Sequence, residues 1–289
     1  MNLSLRRRYA FLIFVLTGLL LATPHLRAGG RYQVRDFASV DQLEAFYSST
    51  EYGLDDIREG QYVILKDFPN DFGSIRNVDR RKQYFQRIVL PLVYIENRRI
   101  HEERTFLKDI LNKTDTNSLD PGTREQLESM LDRYDMDVSP ETILSSRDHA
   151  DTLLQRVRQL PPSMVLAQAA TESGWGTSRF CREGNNLFGE RTYNDDAEGL
   201  KPQGVGPDAN FTVRTFPTLL DSVRSYMNNL NTHWAYEEFR RLRDEEGPSQ
   251  GLKLVQALKK YSERKGDYVE SIQNVIEYNQ FTRFDGVVQ

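Results

Sequence analysis

The sequence predicts a mainly α-helical protein with one small β-region, and three observations point there. Apolar residues recur at three- and four-residue spacing along a long stretch from Asp79; a compact run of small residues opens at Pro161-Pro162; and three further apolar faces close the chain. Strand-like alternation is confined to short segments. The chain has 289 residues, 38% hydrophobic and 28% charged, which suits a substantial core and excludes a disordered or multi-span membrane protein. A net charge of −4 argues against a nucleic-acid partner, whose phosphates call for a basic excess.

The first 28 residues read as a signal peptide or an uncleaved anchor. Arg6, Arg7 and Arg8 precede an apolar run from Tyr9 to Ala22, too short to span a bilayer comfortably, and Ala28-Gly29 offers a small-residue cleavage point. Either reading places the folded part outside the cytoplasm, in the periplasm or cell envelope, with no membrane span expected after cleavage. Cys181 is the only cysteine, so no internal disulfide forms, and it reads as a small packed thiol.

Residues 29–140 form an N-terminal mixed and helical region. Tyr32 to Phe72 is irregular, punctuated at Gly53, Gly60 and Pro69-Asn70, with a short strand expected over Gln61 to Leu65. A long helix follows, its face built by Tyr84, Phe85, Ile88, Val89, Leu92, Ile95 and Ile100, with a kink expected at Pro91 and an end near Leu111. Thr114 to Pro121 reads as a loop, and shorter helices are expected around Arg124 to Tyr134 and His149 to Val157.

Residues 141–285 carry the chemistry. A helix from about Ser163 to Ser173 opens on prolines, has an apolar stripe of Val165, Leu166, Ala169 and Ala170, and ends at Gly174 and Gly176. A small β-region is expected between about Arg191 and Phe216. Three helices follow, on Leu219 to Leu230, on Leu252 to Leu258, and on Tyr268 to Ile276.

The informative stretch is Ala167-Gln168-Ala169-Ala170-Thr171-Glu172-Ser173-Gly174-Trp175-Gly176. Glu172 stands at the end of a helix, where the backbone dipole disfavours an ionised carboxylate, and apolar neighbours such as Trp175 desolvate it further. Both effects favour the protonated form that a general acid requires. The same residues also allow an ordinary buried glutamate paired with an arginine such as Arg179.

That stretch, with Thr177-Ser178-Arg179-Phe180 and Glu183-Gly184-Asn185-Asn186-Leu187-Phe188-Gly189, resembles the glucosaminidase family of bacterial peptidoglycan hydrolases, and most nearly its Bax-like proteins. Ser222 to His233 is similar to the helix that follows in that family. The resemblance is specific from about residue 140 to 280 and extends loosely back to Asp79. It implies a lysozyme-like α-helical fold with a small β-lobe, here preceded by an N-terminal helical extension. It also implies hydrolysis of the β-1,4 bond after N-acetylglucosamine in a peptidoglycan strand, with Glu172 as the general acid.

The family's second acid, in a Thr-x-Glu context, has no counterpart in this sequence. Glu190, Asp195, Asp196, Glu198 and Asp208 stand in its neighbourhood, and Glu198 and Glu190 are the preferred candidates. A second carboxylate roughly 6.5–9.5 Å from the acid implies inversion and one at about 5–5.5 Å implies retention, while the substrate's own N-acetyl group provides a third route. Tyr261 and Tyr268 resemble the family's cleft tyrosines, although the segment between them departs in composition. Trp175, Asn186 and Phe188 complete the candidate substrate-binding residues, each also open to a purely structural role. No metal or cofactor is expected. A lytic transglycosylase and a non-catalytic wall-binding protein are the competing functions.

Overall fold

The computed structural model describes residues 32–112, 119–193, 199–202, 211–260 and 266–286. The chain begins with a strand β1 (Tyr32–Arg35), helices α1 (Val40–Thr50) and α2 (Leu54–Arg58), and strand β2 (Tyr62–Leu65). β1 and β2 pair in parallel, Tyr32 opposite Tyr62 and Arg35 opposite Leu65, with the two helices as the crossover. The expected strand is therefore present, but the supposedly irregular segment before it is ordered structure. Ser39 caps α1 by accepting from the Gln42 N–H, and the Gln42 side chain reaches back to the Ala38 N–H, a reciprocal arrangement akin to a capping box.

Helix α3 (Val78–Leu111) is the long helix expected from the periodicity, and it runs through Pro91 as one 34-residue element. From Ile88 to Asn97 every residue is buried, so here α3 is a core helix packed on all sides. Glu96 and Glu103 remain buried because guanidinium groups surround them. Arg99 bridges both, Arg133 reaches Glu103, Arg224 reaches Glu96 at 3.3 Å, and the Tyr134 hydroxyl donates to Glu103 at 2.7 Å. This network ties α3 to α4 (Pro121–Arg133) and to the later helix bearing Arg224.

Two short helices follow, α5 (Pro140–Ser145) and α6 (Arg147–Arg156), then α7 (Pro162–Ser173) and α8 (Arg179–Gly184). The β-lobe is a three-stranded antiparallel sheet of β3 (Arg191–Thr192), β4 (Gly199–Leu200) and β5 (Thr212–Arg214), in the order β3-β5-β4. Helices α9 (Leu219–Thr232), α10 (Glu237–Glu246), α11 (Gly251–Leu254) and α12 (Gly266–Tyr278) close the chain, with 3-10 turns at Trp234–Tyr236, Val255–Lys260 and Phe281–Phe284. α5, α8 and α10 were not expected from the apolar pattern. α10 hides because two of its three buried residues are arginines. Arg240 donates to the Leu230 and His233 carbonyls at the end of α9, and Arg243, fully buried, donates to the Gln155 and Arg158 carbonyls at the end of α6.

The result is a mainly α-helical, lysozyme-like fold with a small β-lobe. α7 lies at its centre, against α3, α11, α12 and the final 3-10 turn. Among the described residues no helix is long and apolar enough to cross a membrane.

Candidate active site

Helix α7 positions the site. Pro161 and Pro162 start it where missing N–H groups cost nothing, but Pro161 provides no side-chain cap. Asp285, from the far end of the chain, supplies one. Its carboxylate accepts from the Ser163 N–H at 2.8 Å and from the Ser163 hydroxyl at 2.7 Å. Ser163 to Ala170 are all buried, and along the helix only Thr171 and Glu172 remain open. The helix therefore presents one side chain with acid chemistry on one accessible face.

Its C-terminus is a left-handed turn. Gly174, Trp175 and Gly176 have φ of 58°, 59° and 80°, a conformation glycine adopts freely and tryptophan does not. The turn swings the Trp175 ring against Phe85 and Phe281, with centroids 5.5 and 6.2 Å away, and Lys82 sits over its face. A Cβ at Gly176 would stand 3.0 Å from the rings of Phe68 and Phe72. Buried Ser173 holds the turn, donating to the Ala169 carbonyl at 2.6 Å and accepting from the Gly176 N–H at 2.9 Å.

Burial raises the pKa of Glu172 above the usual carboxylate range, and a hydrogen bond from Tyr268 partly opposes the rise. Arg179 pairs instead with Glu183 at 3.1 Å and donates to the Lys201 carbonyl, which removes the reading of Glu172 as half of that ion pair. Tyr268, on α12, is buried and hydrogen-bonds both Glu172 and the Gln168 amide, the latter at 2.9 Å. Gln168 in turn accepts from the hydroxyl of Tyr226 on α9. Tyr226 lies within electrostatic reach of Tyr268, Tyr236, Glu172 and Glu190, so these groups form one constellation. Burial pushes Tyr236 up to about 12, with Glu190 adding to the effect.

The other candidates divide clearly. Glu190 belongs to the constellation, but its carboxylate is held by the Ser225 hydroxyl at 2.8 Å and by Arg214 at 3.1 Å, and its second oxygen is buried without a hydrogen-bond partner among the described residues. Burial raises its pKa, while Ser225 and Arg214 pull it down. Asn186 uses its side chain on backbone, donating to the Glu190 and Arg214 carbonyls and accepting from the Phe188 and Glu190 N–H groups. That closes the turn into the β-lobe and fills the amide's capacity. Phe188 is stacked on Tyr226 at 3.9 Å with 7° between the planes, inside the core. Glu198 and Tyr261, with Asp195, Asp196 and Asp208, lie outside the described residues. Cys181 is buried and its thiol pKa is raised by that burial.

Sequence reasoning missed Gln168, Tyr226 and Tyr236 as site residues. Gln168 stands four residues before Glu172, one helical turn away on the same face, which is a signal the spacing carries. Tyr226 reads as one more member of an apolar stripe. Tyr236 follows the end of a helix, where no periodicity places it.

Comparison with known proteins agrees with this geometry. Residues 147–281 match the model of the glucosaminidase family, described as mannosyl-glycoprotein endo-β-N-acetylglucosaminidase. The chain is 30% identical over 283 residues to the protein bax of Escherichia coli (strain K12), an alignment covering 95% of each chain. No solved structure matches the chain. With acid, phenols and turn all inside the matched segment and the identity running through nearly the whole length, the chain belongs to the glucosaminidase family, among its Bax-like proteins.

Proposed function

We propose that this protein is an exported peptidoglycan hydrolase, an endo-β-N-acetylglucosaminidase that cleaves the β-1,4 bond after N-acetylglucosamine with Glu172 as general acid. The observation that carries the reading is Glu172 itself. It is the only acid on the central helix, it faces the open side, and burial keeps it protonated to higher pH than an ordinary glutamate. Membership of a glucosaminidase family supports a glycan substrate and action outside the cytoplasm, in line with the basic and apolar leader of residues 1–28.

In the proposed reaction Glu172 gives its proton to the glycosidic oxygen as the bond to the anomeric carbon breaks, and water completes the hydrolysis. Tyr268 donates to the Glu172 carboxyl and steadies the carboxylate left behind. We assign the catalytic unit to residues 141–285, which contain the family match, and give residues 29–140 a supporting role. Glu190 is already engaged by Arg214 and Ser225, so we assign it to holding the β-lobe against α9.

Mass spectrometry of reduced muropeptides, after digestion of purified peptidoglycan, tests the reading. Fragments ending in reduced N-acetylglucosamine from the wild type, absent with Glu172→Gln, are expected. Anhydro-muramic ends would reassign the protein to the lytic transglycosylases. Binding without cleavage by either form would reassign it to wall-binding proteins.

A further inference from the structure

A cavity of about 460 Å³ is lined by none of the residues assigned to the active site. Its walls come from three places in the chain. Glu51 and Asp55 belong to the corner between α1 and α2, Gln86 and Arg87 to α3, and Arg283 to the final 3-10 turn. A volume of this size suits a small ligand.

The cavity gathers charges of both signs that do not satisfy one another. Arg87, Arg283 and Glu51 make no ion pair among the described residues, and Asp55 pairs only with Arg58, at 3.7 Å. Asp56, also on the wall, is engaged by the Gly53 N–H at 2.7 Å. Both arginines are held by aromatic rings, Arg87 over Tyr47 at 5.0 Å and Arg283 over Phe284 at 4.8 Å. A ring takes the face of a guanidinium and leaves its in-plane N–H donors available. Gln86 is only 7% exposed, and its amide makes no hydrogen bond among the described residues. Such an amide is costly to leave unpaired, and its nitrogen is a donor for an anionic group.

We propose that this cavity binds a peptide group carrying a carboxylate and an ammonium ion together, the carboxylate on Arg87, Arg283 and Gln86, the ammonium on Glu51 and Asp55. The guanidinium fork matches a carboxylate, and acidic side chains match an ammonium. A phosphate would meet the same donors, but Glu51 and Asp55 oppose a ligand whose charge is negative alone. An uncharged sugar would leave both signs unanswered. Free short peptides share this chemistry with cell-wall stem peptides that contain a diamino acid. The site does not rest on Glu172 being a catalytic acid.

The test is a saturation-transfer NMR titration of the full chain with the dipeptide alanyl-alanine, its N-acetyl derivative and its C-terminal amide. We expect saturable binding of the dipeptide, with Kd raised about tenfold or more by either blocked end, the scale of one hydrogen bond to a charged group. Arg283→Gln and Glu51→Gln change exposed side chains and are expected to weaken the dipeptide by a similar factor at an unchanged thermal midpoint. No saturable binding at millimolar dipeptide would overturn the proposal. So would equal binding of the N-acetyl derivative, which marks a plain anion site, or an unchanged Kd in both variants. Competition separates the two sources. Displacement of the dipeptide by soluble wall fragments, but not by the same glycan stripped of its peptides, assigns the site to the wall, and displacement by neither assigns it to free peptides. Equal displacement by the stripped glycan would overturn the peptide chemistry.

Discussion

Burial of Glu172 comes at a cost to the fold. Because burial raises its pKa, the folded chain binds the proton more tightly than the unfolded chain does. The stability from that proton is present at low pH and is lost as pH rises through the raised value. A glutamine side chain has no proton to lose in this range, so Glu172→Gln is expected to melt above the wild type at neutral pH, with the difference vanishing in acid. Equal melting temperatures across the pH range would contradict the assigned environment. The desolvated setting of Glu172 was legible because helix end, glycines and tryptophan lie within five residues of one another, and its role as an acid was read only from the family resemblance. Trp175 was legible only by type. Its left-handed backbone sends the ring toward Phe85 on α3, a contact 90 residues away that the local sequence does not show.

The elements tell a similar story. α3, α7, α9 and α12 announce themselves by periodicity, and their bounds fall within a few residues of the sequence reading. α1 and α5 were also written in the sequence, through Ser39 with Gln42 and through Ser139-Pro140, but their apolar faces are too short to stand out. The cap of α7 was not legible at all, since Asp285 lies 122 residues from Ser163. Burial pushes Asp285 up to about 6, so the folded state gains stability as pH falls through that value. Asp285→Ala is expected to cost about 1 kcal/mol, the usual worth of a helix cap, and to remove that pH slope. Urea unfolding at two pH values checks both, and an unchanged midpoint would show that α7 does not depend on this carboxylate.

At the scale of the whole molecule, one apolar core runs from Val40 to Phe284. The stretch after β2 supports the turns around the site. The Lys66 carbonyl accepts from the Leu219 N–H at the start of α9, Asp67 accepts from Asn185 at 2.6 Å, and Phe68 and Phe72 close over Gly176. Sequence reading found no role for this region because the contacts that brace the site, to Asn185, Leu219 and Gly176, are distant along the chain. A chain beginning at residue 141 would lose α3 and these braces together. It is expected to lack a cooperative thermal transition by circular dichroism, and a sharp transition with retained helix content would show that the later half folds alone.

The central claim is that Glu172 is the acid that cuts the glycan. The most direct measurement is the initial rate of soluble fragment release from purified peptidoglycan as a function of pH, for wild type and for Glu172→Gln. The wild-type rate is predicted to fall as pH rises through a midpoint above the ordinary carboxylate range, with the variant slower by roughly a hundredfold or more at every pH. A Glu172→Gln protein that cuts at the wild-type rate would contradict the account.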